Sequence, residues 1–251
     1  MFPSPYFLRG FAMERIDELW PGGPKYIQRP GVFSLGSDSV LLAAFARLGR
    51  VRRVCDLGCG GGVISILLAA YKPGLTVDGV ELDPAAARQS MDNAALNGFD
   101  ARINVINGDI REHRALLRAG EYDLAVSNPP YFPVGSGYSS ESMSAAREEG
   151  GCSLEELCRA AAYAVRWGGS FALVHRPERL SELCCRLTEA GLEPKRLRLV
   201  QHRPGSAPNL VLLEAIRGAR PGLSVEPPLI MTDGRGGDSE EIRKIYRRDG
   251  R

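Results

Sequence analysis

Val54-Cys-Asp-Leu-Gly-Cys-Gly-Gly-Gly-Val63 is the stretch on which the rest of the chain turns. A short apolar run ends in Asp56, glycines follow at alternate positions (Gly58, Gly60, Gly62), and residues 63–71 form an apolar segment of helical character. The order reads as strand, tight turn, helix. Glycines at such a corner let backbone N–H groups approach a ligand at the helix N-terminus.

Outward from this corner, strand and helix patterns alternate. Residues 53–57, 76–82, 103–106, 122–127 and 169–175 read as strands, and residues 63–71, 84–97, 112–118, 153–166 and 177–190 as helices. Pro84 opens one helix and Gly98 stands just past its end, the expected asymmetry. Glu156 lies at capping-box spacing from Ser153. Upstream, Val40, Leu41, Ala44, Phe45 and Leu48 mark one face of a helix over residues 39–48. Strands separated by helices imply parallel pairing, right-handed crossovers and helices on both faces. Residues 196–201 and 210–215 differ, because the loop between them is too short for a crossover helix. That pair should be antiparallel.

The expected fold is therefore α/β: a doubly wound, mostly parallel seven-stranded sheet that ends in a C-terminal antiparallel hairpin. Residues 1–30, with Pro21, Gly22, Gly23 and Pro24, are expected to be irregular, Met13 being a candidate native start. Residues 31–251 should form one domain. The tail from residue 221 is Pro- and Gly-rich, then basic and helix-like over residues 242–248.

Composition bounds the function. A chain of 251 residues with 44% apolar and 25% charged residues can bury a sizeable core and is not of disordered type. The formal net charge of +2 is too small for indiscriminate nucleic-acid binding, although a local basic face is compatible with it. No apolar run has the length of a membrane span, and Pro3, Pro5 and Arg9 break the N-terminal one, so a cytoplasmic protein is expected. The six cysteines form no CxxC pair, and His113, His175 and His202 are scattered. They read as free, mostly buried thiols rather than a disulfide framework or a metal site. Cys59, inside the glycine loop, reads as a small residue filling a tight corner.

Glu81 ends the second strand about twenty positions beyond the glycines, where a carboxylate accepts from ribose hydroxyls. A nicotinamide dinucleotide would share that feature, but its fingerprint wants a small residue where Val63 stands. Asp56 adds a carboxylate that suits a cationic methionine end better than a pyrophosphate. After the third strand comes Asn107-Gly-Asp-Ile110: Asp109 can accept from an adenine amino group while Ile110 packs on the ring. Alone, Asp109 reads equally well as a helix N-cap.

Asn128-Pro-Pro-Tyr131 follows the fourth strand, on the edge where open α/β sheets hold ligands. Pro129 and Pro130 stiffen the backbone and remove donors, so the loop presents acceptors: the Asn128 side-chain oxygen and the Pro129 carbonyl. Two acceptors on a rigid turn suit an –NH2 group on a planar carbon, and Tyr131, with Phe132 beside it, offers a stacking face. The combination points to methyl transfer from S-adenosylmethionine to a planar amine, a reaction that needs positioning rather than a strong base.

These motifs together resemble the class I S-adenosylmethionine-dependent amino-methyltransferases, with their Rossmann-like fold. Gln28, Phe33-Ser-Leu-Gly-Ser-Asp38 with Val40-Leu-Leu, and Ala146-Arg-Glu-Glu149 further resemble the bacterial tRNA1(Val) adenine-N6 methyltransferases, which modify the adenosine 3′ of the anticodon. The resemblance spans most of the chain from Gln28 to Ala215. It implies S-adenosylmethionine as cofactor and a tRNA substrate; no metal is expected, the oligomeric state is left open with a monomer favoured, and Asn128, Pro129, Pro130 and Tyr131 are expected to be catalytic, Asn128 also touching the cofactor. It also implies cofactor contacts from Asp38, whose other role is the N-cap of residues 39–48. Arg147-Glu148-Glu149 departs from the Arg-His-Glu of that pattern and is assigned no role.

Ribosomal RNA and a protein glutamine amide are the alternative substrates. The glutamine enzymes usually carry a helical N-terminal domain, for which about fifty residues ahead of the first strand leave no room. A non-catalytic cofactor- or RNA-binding scaffold is the third possibility. Arg196, Arg198, Arg203, Arg217, Arg220, Arg243, Lys244, Arg247 and Arg248 read either as an ordinary solvated surface or as an RNA-facing one, and their concentration late in the chain favours the second.

Overall fold

The computed structural model describes residues 14–32, 35–130 and 152–248. A short hairpin comes first, β1 (Arg15–Glu18) and β2 (Lys25–Gln28), then α1 (Ser37–Phe45). The alternating region holds β3 (Arg53–Leu57), α2 (Val63–Tyr71), β4 (Thr76–Glu81), α3 (Pro84–Leu96), β5 (Ile103–Asn107), α4 (His113–Leu116) and β6 (Tyr122–Ser127). Next come α5 (Leu154–Ala164), β7 (Val165–His175), α6 (Leu180–Glu189), β8 (Leu192–Gln201), β9 (Pro208–Arg217), β10 (Ser224–Ile230) and α7 (Glu240–Ile245).

The main sheet has the order β10-β8-β9-β7-β6-β3-β4-β5. β3 sits inside it, parallel to both β4 and β6, so its glycine corner faces the two neighbouring strand ends. Side chains alternate between two cores along each strand. Val54, Leu124, Val126, Ala172 and Val174 join α1, α2 and α3 on one face. Cys55, Ala125, Phe171 and Leu173 join α5 and α6 on the other. The sheet is doubly wound and mostly parallel, as the alternation of elements requires.

The antiparallel ending is present, with β9 inserted between β7 and β8 and antiparallel to both. Two expectations need correction. The sheet has eight strands rather than seven, because Ser224–Ile230 adds a parallel edge strand to β8. Pro227 and Pro228 hid it; an edge strand pairs on one side only and tolerates missing donors, and the register slips between Glu226 and Leu229. Residues 15–28 are likewise not irregular: the Pro-Gly-Gly-Pro run is the turn of an antiparallel hairpin. The C-terminal helix spans Glu240–Ile245, capped by the Ser239 hydroxyl, rather than residues 242–248.

Candidate active site

The corner after β3 runs through left-handed backbone at Gly58, Gly60 and Gly62 (φ +74°, +54°, +86°). Gly62 is the N-cap of α2, a conformation that a residue with a Cβ adopts only with strain. Gly58 and Cys59 donate to the Val80 carbonyl (2.9 and 3.1 Å), fastening the corner to the end of β4. Gly60 N–H donates to Glu81 Oε2 (2.8 Å), and Asp83 N–H donates to Oε1 (2.9 Å). Glu81 is thus fixed at the edge of the corner by two backbone donors.

A cleft of about 310 Å³ opens above these strand ends. Its floor is Gly58, Gly60 and Gly61; Glu81 and Leu82 stand on one side, and Asp109 and Ile110 on the next. Asn128 and Pro130 close the opposite side, and Ser39 and Tyr26 complete it. The acidic groups Glu81, Asp83 and Asp109 line it, and no Lys, Arg or His does among the described residues. Such a lining repels a pyrophosphate and suits a ligand carrying positive charge. The donor set therefore fits S-adenosylmethionine: a carboxylate for ribose hydroxyls, an aliphatic face for adenine, acidic surroundings for the sulfonium.

Asp109 plays both of the roles open to it. Its Oδ1 caps the turn at Arg111 N–H (2.8 Å), and its Oδ2 pairs with the Arg111 guanidinium, which holds the carboxyl below its usual range. It also lines the cleft beside Ile110, whose Cδ1 would lie 3.9 Å from a Cβ on Gly58. Asn128 Nδ2 donates to the Ser39 hydroxyl (3.0 Å), so any amine that the side-chain amide receives is received by Oδ1. Behind Asn128, the Ser127 hydroxyl donates to the Leu57 carbonyl (2.7 Å) and locks the ends of β6 and β3 together.

Four expected site residues do not line the cleft. Asp56 is wholly buried under the corner, where the Ser65 hydroxyl donates to its Oδ2 (2.7 Å) and Oδ1 has no hydrogen-bond partner among the described residues. Burial, with Glu81 adding to it, pushes this carboxyl up to about 7. Gly62 turns away toward Ser90, which a Cβ there would meet at 2.4 Å. Asp38 lies in the first turn of α1, accepting from the Ser37 hydroxyl (3.1 Å); the helix N-cap is Gly36, so Asp38 is not the cap either. Pro129 is half-buried next to the lining residue Pro130. Tyr131 and residues 146–149 lie outside the described residues.

Ser39 and Tyr26 went unnoticed in the sequence. Ser39 is one hydroxyl in a helix start, and Tyr26 sits in a strand of four residues. Cys59 fills the corner as expected: its Sγ is 2.9 Å from the place of a Cβ on Gly79, and burial keeps it a neutral thiol. Seven of the nine late basic residues are engaged within the molecule. Arg196 pairs with Glu214, Arg198 with Glu241, Lys244 with Glu240 and Arg248 with Asp238. Arg217 and Arg243 donate to carbonyls, and Arg247 lies over the Trp20 ring. Arg203 and Arg220 are exposed.

Comparison with known proteins places these features in company. The family model described as "Methyltransferase small domain" matches residues 25–181. The tRNA1(Val) (adenine(37)-N6)-methyltransferase of Aeromonas hydrophila is 36% identical over 185 residues, covering 73% of this chain and 77% of that protein. The Yersinia enterocolitica protein of the same name is 34% identical over 187 residues, 74% of each. Among solved structures, a predicted O-methyltransferase from Agrobacterium tumefaciens superposes with a TM-score of 0.69 at 24% identity, covering 84% of this chain and 95% of its own. That likeness shows a shared fold.

Proposed function

The chain belongs to the methyltransferase small-domain family, and we propose that it transfers a methyl group from S-adenosylmethionine to N6 of an adenine in a tRNA anticodon loop. The shared cleft carries this assignment: the glycine corner, Glu81 and Asp109 on one side and Asn128 with Pro130 on the other open into the same space. The tRNA1(Val) adenine-N6 names of the relatives supply the substrate class, and with it a cytoplasmic setting. No helix among the described residues is long and apolar enough to cross a membrane.

Bound S-adenosylmethionine supplies an activated methyl group on a cationic sulfur. Gly58, Gly60, Glu81, Asp109 and Ile110 would hold it, with Asp56 and Gly62 shaping the corner from behind. Asn128 Oδ1, beside Ser39, accepts one N–H group of the substrate amine, and the Pro129 carbonyl, next to the lining residue Pro130, is assigned the other from its place in the sequence. Accepting both draws the nitrogen out of conjugation with the ring, so its lone pair becomes a nucleophile. The acidic lining stabilises the positive charge that passes to the amine. No histidine lines the cleft among the described residues, and none is required, because the product nitrogen sheds its proton to solvent. Tyr131 is assigned the stacking face from its place in the sequence alone.

Asn128→Ala should lower kcat on total tRNA by on the order of 10²–10³-fold while leaving S-adenosylhomocysteine binding within a few-fold. Transfer of labelled methyl is measured with total tRNA and, separately, with peptide-chain release factors. Nucleoside analysis of the product identifies the methylated base. Label entering only the protein would replace this substrate with a glutamine amide, and undiminished turnover by Asn128→Ala would sink the catalytic role.

A further inference from the structure

α3 and its C-cap carry Gln89, Asn93 and Asn97 at four-residue spacing, so their carboxamides form one stripe. Each meets the backbone of β2 or its continuation at every second residue. Asn97 accepts from Lys25 N–H (2.8 Å) and donates to the Lys25 carbonyl (2.7 Å). Asn93 does the same with Ile27 (2.6 and 3.2 Å), and Gln89 accepts from Arg29 N–H (3.0 Å). Four helical residues advance about 6 Å and two strand residues about 6.6 Å, so the two repeats match. The helix thereby stands in for a third strand along the edge of β2 that β1 leaves open.

This stripe does not end at the hairpin. Asn93 Nδ2 also donates to the Gly61 carbonyl (3.0 Å), and Gln89 Nε2 donates to the Tyr26 hydroxyl (3.1 Å). A Cβ at Gly61 would lie 2.2 Å from that hydroxyl and 2.4 Å from Gln89 Nε2, so the corner presses directly on the pair. Gln89, Asn93 and Tyr26 are all fully buried, where an amide left without partners is costly. Gly61 and Tyr26 in turn line the cleft.

We propose that Asn93 is a positioning residue that ties the N-terminal hairpin to the glycine corner, so that docking of β2 on α3 sets how firmly the corner holds the cofactor. The assignment rests on the cofactor reading of the cleft given above. It separates the rungs of the stripe: Asn97 serves the hairpin and the end of its own helix, where it donates to the Asn93 carbonyl (2.8 Å), whereas Asn93 serves both the hairpin and the site.

The test is calorimetric binding of S-adenosylhomocysteine to the full chain, with thermal unfolding followed alongside. Asn93→Asp keeps the side-chain shape and the bond from Ile27 N–H, but turns the donor that faces the Gly61 and Ile27 carbonyls into an acceptor. Asn93→Ala removes all three of its bonds, and Asn97→Ala removes a rung remote from the corner. The Asn93 variants should raise Kd about tenfold and KM for the cofactor with it, with KM for tRNA unchanged. Asn97→Ala should lower the unfolding temperature yet leave Kd within about twofold. A folded Asn93→Asp with unchanged Kd would overturn the tether. So would a Kd that rises for Asn97→Ala as much as for Asn93→Ala, since that would make both effects a matter of stability. If the unsubstituted chain bound no S-adenosylhomocysteine, the cofactor assignment itself would fall, and the tether's role at the site with it.

Discussion

Asp56 and Ser39 show how single side chains are set by neighbours distant in the chain. Ser39, on α1, accepts from the Asn128 amide nitrogen 89 positions further along the chain. Asp56 has the opposite fate, since burial keeps it from the ligand and favours its neutral form. Its carboxyl ordinarily titrates near 3.8 and in the fold near 7. Between those values the folded chain retains a proton that the unfolded chain has released, so stability falls as pH rises across this window and is level above it. Asp56→Asn cannot ionise and should escape that loss. Urea unfolding at about pH 4.5 and about pH 7.5 should show the variant gaining on the unsubstituted chain by a few kcal/mol as pH rises. A difference between the two that stays the same at both pH values would exclude a neutral buried Asp56.

At the scale of the element, caps and corners do most of the positioning. Ser153 and Glu156 close a full capping box at the start of α5, the Ser153 hydroxyl accepting from Glu156 N–H (3.2 Å) and Glu156 Oε2 accepting from Ser153 N–H (2.8 Å). This helix covers the sheet behind β6 and β7, with Leu157, Cys158 and Ala161 buried. Ser153→Ala should cost about 1 kcal/mol, which for a chain of this size lowers the thermal midpoint by roughly 2–4 °C. Activity of the remaining folded protein should be unaffected; a loss of turnover at low temperature would show that the cap serves the site and not only the helix. The box was legible because its signal lies within four residues. The β1–β2 hairpin was not, because short strands carry too little periodicity to stand out around a Pro-Gly-Gly-Pro turn.

Across the whole molecule, the basic residues expected to meet RNA also make pairs within the chain, and one of them is buried. Arg196, nearly sealed from water, donates to Glu214 (2.8 Å) on β9 and lies over the Phe45 ring at the end of α1 (3.6 Å to the ring centre). It thereby joins helix layer and sheet near the antiparallel end. Glu214→Leu alone takes the nearer carboxylate from the buried guanidinium, leaving it Glu226 (3.4 Å) and the Phe45 carbonyl, and should destabilise by about 1–3 kcal/mol, whereas Arg196→Met with Glu214→Leu should recover part of that loss. The double-mutant cycle is read by chemical unfolding, and simple additivity of the two single changes would exclude a coupled pair. Arg247, laid over Trp20, which stacks on Tyr71, joins the C-terminal segment to the hairpin and to α2.

The sequence by itself determined what is local. Alternating periodicities fixed the doubly wound order, and a connection too short for a helix fixed the antiparallel pair. Asp56 to Gly62, Glu81, Asp109 and the Asn-Pro-Pro-Tyr run announced the chemistry, because backbone angles and strand-end positions depend on neighbours in the chain. Only the tertiary structure decided which carboxylates face the cleft and which are sealed, that Pro227 and Pro228 sit in an edge strand, and that Arg196 is buried in an internal pair. It also decided that one stripe of amides binds the first strands to the glycine corner. Burial and partner choice are set by residues tens to more than a hundred positions apart, and no local pattern encodes those distances.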